Sequence, residues 1–154
     1  MKVHKLVEAL KLKRLTIGSV ESMTGGSFAS KITEVAGASE VFKGAIVTYG
    51  KQSKEKLANV RPETLEKFGV ISWEVASEMA YNGRTLLDVD YCLAVTGNAG
   101  PTLDHGEKEI GTVFIAIASK DNVWGIPLTL KGDREQIREQ AVVMMLDAIQ
   151  SIVK

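Results

Sequence analysis

Ser22 stands in the run Glu21-Ser22-Met23-Thr24-Gly25-Gly26, between a β-branched stretch from Thr16 to Val20 and a helical pattern that begins near Gly26. In such a strand-to-helix turn the first N–H groups of the helix point outward, which suits the oxyanion of an acyl transfer and a phosphate alike. The hydroxyl of Ser22 or of Thr24 serves equally well as a plain helix cap. A serine nucleophile also needs a base. The only histidines are His4, in a first helix, and His105, in a polar loop, and neither is placed for a Ser-His-Asp triad. A lysine can take that role if burial or neighbouring charge leaves part of it as neutral amine. Lys51, Lys54 and Lys56 on a short helical segment are available, with Lys54 early on it. Spacing does not choose among them, and a solvated helix face is the competing reading.

A second loop of the same kind, Thr96-Gly97-Asn98-Ala99-Gly100-Pro101, follows another apolar run, and the two loops could line one cleft. Asp104, His105, Glu107 and Glu109 lie close together but lack helical or Cys-x-x-Cys spacing, so they read as a charged loop and no metal is expected. The glycines form neither a P-loop nor a dinucleotide fingerprint, which disfavours ATP hydrolysis.

The elements that must position these residues alternate. Leu6, Leu10 and Leu12 mark a first helix, and a strand then ends at Glu21. A helix from Gly26 to Val35 carries Phe28, Ala29 and Ile32 and stops at Gly37. Val41 to Tyr49 reads as a second strand, Gln52 to Leu57 as a short helix, and Ser72 as the N-cap of a long helix from Trp73 to Leu87. Tyr91 to Thr96 is apolar enough for a strand buried on both faces at the sheet centre. Gly111 to Ala118 and Val123 to Leu130 pair as a hairpin, and Arg134 to Val153 closes the chain as a helix. This order predicts a three-layer α/β/α sandwich with a mixed β-sheet, because Ala116 to Leu130 leaves no room for a crossover helix. Ligands in such folds gather at the carboxyl ends of the strands.

With 154 residues and 45% hydrophobic content, one domain over residues 1–154 is expected. Nineteen basic and nineteen acidic side chains cancel, so neither nucleic acid nor membrane is expected as a partner. The lone Cys92 and the charged first residues fit a soluble cytoplasmic protein.

Taken together, Glu-Ser-x-Thr-Gly-Gly, Phe-x-Gly-x-Ile/Val-Val-Thr-Tyr, a downstream Lys, Thr-Gly-x-Ala-Gly-Pro, Glu-Lys-x-x-Gly-Thr-Val and Gly-Asp-Arg resemble the CinA C-terminal domain family, in order from about Leu6 to Ile149. Members of the stand-alone PncC type are nicotinamide-nucleotide amidases, which convert nicotinamide mononucleotide to nicotinate mononucleotide and ammonia. The resemblance implies Ser22 as nucleophile and Lys54 as base, with Lys51 and Lys56 as bystanders. It implies oxyanion donors among the amides of Thr24, Gly25 and Gly26. Tyr49, at the end of the second strand, either bonds the serine–lysine pair, stacks near the ring or packs in the core. Glu21, Thr48, Thr96, Gly97, Ala99 and Gly100 are then expected around the substrate, with Arg134 and Lys108 as candidates for its phosphate.

No metal or organic cofactor is implied, the partner is a small nucleotide substrate, and a homo-oligomer is reasonable. Relatives with an extra N-terminal domain carry a pyrophosphatase-type activity, which is not expected here. The chain departs from the common pattern at Met23, at Gly50-Lys51, at Asn98 and at Leu103-Asp104-His105 with Glu109. A member that binds a nucleotide or a protein partner without catalysis is therefore the alternative, and a competence or DNA-damage role is a third reading.

Overall fold

A computed structural model describes residues 2–103 and 108–154. Five strands form one sheet in the order β2-β1-β3-β4-β5, where β1 is Ile17–Glu21, β2 Phe42–Val47, β3 Tyr91–Gly97, β4 Thr112–Ala118 and β5 Val123–Thr129. β1 pairs in parallel with β2 and β3, whereas β3–β4 and β4–β5 are antiparallel. The sheet is therefore mixed, as the short β4–β5 connection requires. β3 lies at its centre, where both faces are covered and an uninterrupted apolar run is the stable choice. β5 is an edge strand and tolerates Pro127.

Helices cover both faces. On one face α1 (Lys2–Lys13), α2 (Ser27–Thr33) and α6 (Arg134–Val153) pack with Ile17, Leu93, Val95, Val113, Ile115 and Ile117. On the other, α3 (Lys51–Ala58), α4 (Pro62–Phe68) and α5 (Trp73–Leu87) pack with Val20, Cys92, Ala94, Ala116 and Ala118. The second face is built from small side chains, which lets α5 lie close to the sheet. Gly83 marks a close approach: a Cβ there would sit 2.4 Å from Val20 Cγ2 and 2.7 Å from Cys92 Sγ. Burial pushes the Cys92 thiol up to about 12.

Local signals account for the element ends. Ser72 caps α5 by accepting from the Val75 N–H at 3.2 Å. Asp133 and Gln136 form a reciprocal capping box at the start of α6. The first helix is observed as α1, which buries Val3, Leu6, Val7 and Leu10 on one side and leaves Leu12 exposed, because that i, i+3, i+4 set shares one face. One expectation is corrected. The helix after β1 is Ser27–Thr33, shorter than Gly26 to Val35, since Gly26 is left-handed and a separate turn follows Thr33.

Candidate active site

The parallel strands β1, β2 and β3 end at Glu21, Val47 and Gly97 on one edge of the sheet. The helices that follow β1 and β2 cover opposite faces, which opens a crevice at that edge. A cavity of about 540 Å³ fills it, within the roughly 300–1,000 Å³ usual for small-molecule sites. Ser22 and Met23 form one wall, Tyr49, Gly50, Lys51 and Lys54 a second, and Thr96 to Gly100 with Lys108 and Arg134 a third. Gly69 to Ile71 close the remaining side.

Successive side chains of a strand point to opposite faces, so Glu21 and Ser22 diverge. Glu21 turns toward α2 and is fully buried. Its Oε1 accepts from Thr24 Oγ1 at 2.7 Å and from the Phe28 N–H at 3.0 Å; its Oε2 accepts from Ser19 Oγ at 2.9 Å and the Ala29 N–H at 3.0 Å. The helix N-terminus is therefore capped by the Glu21 carboxylate, with the charge sign that the helix dipole favours. Neither Ser22 nor Thr24 is the cap. Glu21 and Thr24, expected beside the substrate, are spent on this clamp and do not line the cavity.

Ser22 turns the other way, toward α3. There the Lys54 Nζ donates to Ser22 Oγ at 2.8 Å and to the Thr48 carbonyl at 2.8 Å. Lys54 is 1% exposed and Ser22 6%. The placement follows from a tight β2–α3 connection: Gly50 precedes the first turn of α3, Ser53 Oγ accepts its N–H at 3.1 Å, and Lys54 lies one turn in, facing β1. Lys51 and Lys56 stay exposed, so burial makes the choice that spacing could not. Lys51, taken as a bystander, nonetheless lines the cavity.

The turn itself needs glycine twice, at Gly25 (φ 61°) and Gly26 (φ 101°). The Gly25 N–H donates to the Ser22 carbonyl at 3.0 Å, and Thr24 is fully buried. Gly25 and Gly26 do not line the cavity either. The cavity wall of this loop is instead Ser22 and Met23.

Thr48 is also buried behind the pair, holding Lys54 with its carbonyl; its hydroxyl has no partner among the described residues. Tyr49 is neither core nor bonded to the serine–lysine pair. It is 60% exposed, and its hydroxyl accepts from Arg134 Nη2 at 2.7 Å. Arg134 Nη1 reaches the Gly100 carbonyl at 2.6 Å, so this guanidinium links Tyr49 after β2 to the loop after β3 across the cavity. Thr96 Oγ1 donates to the Val70 carbonyl at 2.8 Å and fixes the Gly69–Ile71 wall. Asn98 orders its own loop: Oδ1 accepts from the Gly100 N–H at 3.0 Å and Nδ2 donates to the Lys108 carbonyl at 3.0 Å. Thr96, Gly97, Ala99, Gly100, Lys108 and Arg134 all line the cavity.

Arg138 is a residue that sequence reasoning passed over. Its Nε donates to the Met23 carbonyl at 2.9 Å and its Nη2 to the Thr24 carbonyl at 3.1 Å. The available signal was its i, i+4 spacing from Arg134, which puts both guanidinium groups on one side of α6.

Lys51, Lys108 and Arg134 supply positive charge around the cavity, and no carboxylate lines it among the described residues. Asp104, His105 and Glu107 lie outside the described residues. Among the described residues, no group of three or more His, Cys, Asp or Glu could hold a metal, and no helix is long and apolar enough to cross a membrane.

A buried serine–lysine pair at the carboxyl edge of a mixed α/β sheet, facing a cation-lined cavity, defines the class of site. The chain belongs to the CinA C-terminal domain family, whose model matches residues 2–153. It is 43% identical over 144 residues to a protein of Thermoanaerobacter sp. (strain X514) provisionally named competence-damage inducible, covering 94% of this chain and 35% of that protein. To a CinA-like protein of Petrotoga mobilis it is 36% identical over 149 residues, 97% of this chain and 37% of that protein. The chain thus spans little more than a third of the length of these curated relatives. The solved structure of a competence or damage-inducible protein from Enterobacter asburiae superposes with a TM-score of 0.96 at 27% identity, over 99% of this chain and 96% of that one.

Proposed function

We propose that this chain is a nicotinamide-nucleotide amidase that hydrolyses the carboxamide of nicotinamide mononucleotide, giving nicotinate mononucleotide and ammonia. The observation that carries the reading is the 2.8 Å contact between Lys54 Nζ and Ser22 Oγ, with both residues buried at the wall of a cavity rich in cations. The resemblance to PncC-type amidases supplies the substrate.

In this reading the neutral amine of Lys54 takes the Ser22 proton while the Thr48 carbonyl holds the amine in place. Burial disfavours the ammonium form of an amine, which is the physical condition for a lysine base. Ser22 Oγ attacks the carboxamide carbon, and the negative charge that develops on the carbonyl oxygen is met by the Met23 amide at the cavity wall. Lys54 then returns its proton to the departing nitrogen, and ammonia leaves. Water, deprotonated by Lys54 in turn, cleaves the nicotinoyl ester and regenerates Ser22. Lys51, Lys108 and Arg134 provide the positive surroundings that the 5′-phosphate requires, and Arg134 is already oriented by Tyr49 and Gly100.

The test is release of ammonia from nicotinamide mononucleotide by purified protein, read by a coupled assay. Wild type is expected to turn over and Ser22→Ala to lose activity by about 10³-fold or more. Turnover by Ser22→Ala at the wild-type rate would remove the mechanism, and a wild type without activity on this substrate would remove the assignment.

A further inference from the structure

Three consecutive carbonyls of the nucleophile turn are engaged. That of Ser22 accepts from the Gly25 N–H at 3.0 Å, and those of Met23 and Thr24 accept from Arg138 at 2.9 and 3.1 Å. The Thr24 carbonyl is held again by Ser27, through Oγ at 2.7 Å and N–H at 3.1 Å. Within a planar trans peptide the N–H points opposite to the C=O, so fixing a carbonyl also aims the following amide. The Ser22 carbonyl thereby sets the Met23 N–H, and the Met23 carbonyl sets the Thr24 N–H. Gly25 and Gly26 contribute no side-chain contacts to the turn, and both have positive φ. The guanidinium lies directly alongside: a Cβ on Gly25 would sit 3.5 Å from Arg138 Nη2. A planar fork can serve two adjacent acceptors at once, which the single ammonium of a lysine does less well.

We infer that Arg138 is the positioning residue of this turn: by holding the Thr24 carbonyl from α6 it aims the Gly25 N–H at the Ser22 carbonyl, and so keeps the Met23 amide and Ser22 Oγ in the geometry that acyl transfer needs. This rests on the reading of Ser22 as the nucleophile. The competing role is a general brace that ties α6 to the rest of the fold, and the two differ in what they disturb.

The experiment compares wild type, Ser22→Ala, Arg138→Met and Arg138→Lys for ammonia release from nicotinamide mononucleotide and for backbone hydrogen exchange. Positioning predicts that Arg138→Met loses about 10²-fold in kcat with KM little changed, as expected for a small misplacement of reacting groups. Arg138→Lys should recover only part of that loss. Exchange in Arg138→Met should speed up by about tenfold in the segment 22–26 and stay unchanged in β3 and the middle of α6. If Ser22 proves essential but Arg138→Met keeps kcat within about twofold of wild type, the positioning role is wrong and the amidase reading stands. If the loss of kcat only tracks a loss of folded protein, with exchange raised throughout the chain, Arg138 is a brace and the inference is overturned. If wild type releases no ammonia, the amidase reading falls, and exchange alone decides: faster exchange confined to 22–26 upholds the positioning role, and unchanged exchange there overturns it.

Discussion

Replacing Lys54 by methionine separates what the buried amine does for chemistry from what it does for stability. Methionine keeps most of the length of the side chain and removes the amine with its hydrogen bonds to Ser22 Oγ and the Thr48 carbonyl, each 2.8 Å long. Loss of a general base costs about 10²–10⁴ in rate, equivalent to roughly 3–5 kcal/mol of transition-state stabilisation. For folding, two lost hydrogen bonds cost about 1 kcal/mol each, and leaving the Thr48 carbonyl unsatisfied adds roughly 1–3 kcal/mol. Against this, Lys54 is 1% exposed, and taking a polar group out of water costs about 2–7 kcal/mol that a thioether does not. The two sides nearly cancel, so Lys54→Met should lie within about 2 kcal/mol of wild type, a shift in Tm of less than about 8 °C for a domain of this size. Its turnover of nicotinamide mononucleotide should nevertheless fall at least about 10²-fold. Lys56→Met, on the exposed side of α3, should leave both quantities near wild type. The coupled ammonia assay and a thermal melt on the same preparations read both effects. A folded Lys54→Met protein with wild-type turnover would refute the argument.

Other consequences follow from the packing. In Glu21→Gln one carboxylate oxygen becomes an NH2 group facing donors, so charge-assisted bonds to the start of α2 are lost; urea unfolding should show at least about 2 kcal/mol of destabilisation, and a neutral effect would mean that Glu21 is not the clamp. Gly83→Ala gains about 1 kcal/mol of helix propensity but sets a Cβ 2.4 Å from Val20 Cγ2, and overpacking of roughly 1–3 kcal/mol should leave the variant less stable in the same measurement. The Cys92 thiol is held at about 12 against an ordinary 9.0, so above pH 9 the unfolded chain releases a proton that the folded chain keeps. The associated stability is complete below pH 9 and declines by about 1.4 kcal/mol per pH unit up to pH 12. Wild type should therefore lose stability relative to Cys92→Ala between pH 9 and 10, and parallel curves would count against burial of the thiol.

Much of the scaffold is written in local patterns. The apolar run Tyr91 to Val95, the Ser72 cap and the Asp133–Gln136 box identify β3, α5 and α6 because each depends on residues near one another in the chain. The tight link from β4 to β5 forces antiparallel pairing and hence a mixed sheet. Ser22 was legible as a hydroxyl in a strand-to-helix turn, and the distant motifs named the family.

What the chain alone left open was decided in three dimensions. Ser22 and Thr24 looked like caps since both precede a helix, yet the carboxylate of Glu21 takes that place because strand alternation sends it to the α2 face and Ser22 to the other. Lys51, Lys54 and Lys56 are indistinguishable by spacing, and only the packing of α3 beside β2 and α5 buries Lys54 beside Ser22. Tyr49 and Arg134, 85 residues apart, meet across the cavity, and Arg138 reaches the Met23 carbonyl from 115 residues away. Propensity and periodicity act over a few residues, whereas these contacts exist only after the sheet has closed, when burial makes every unpaired polar group costly and so selects which partners come together.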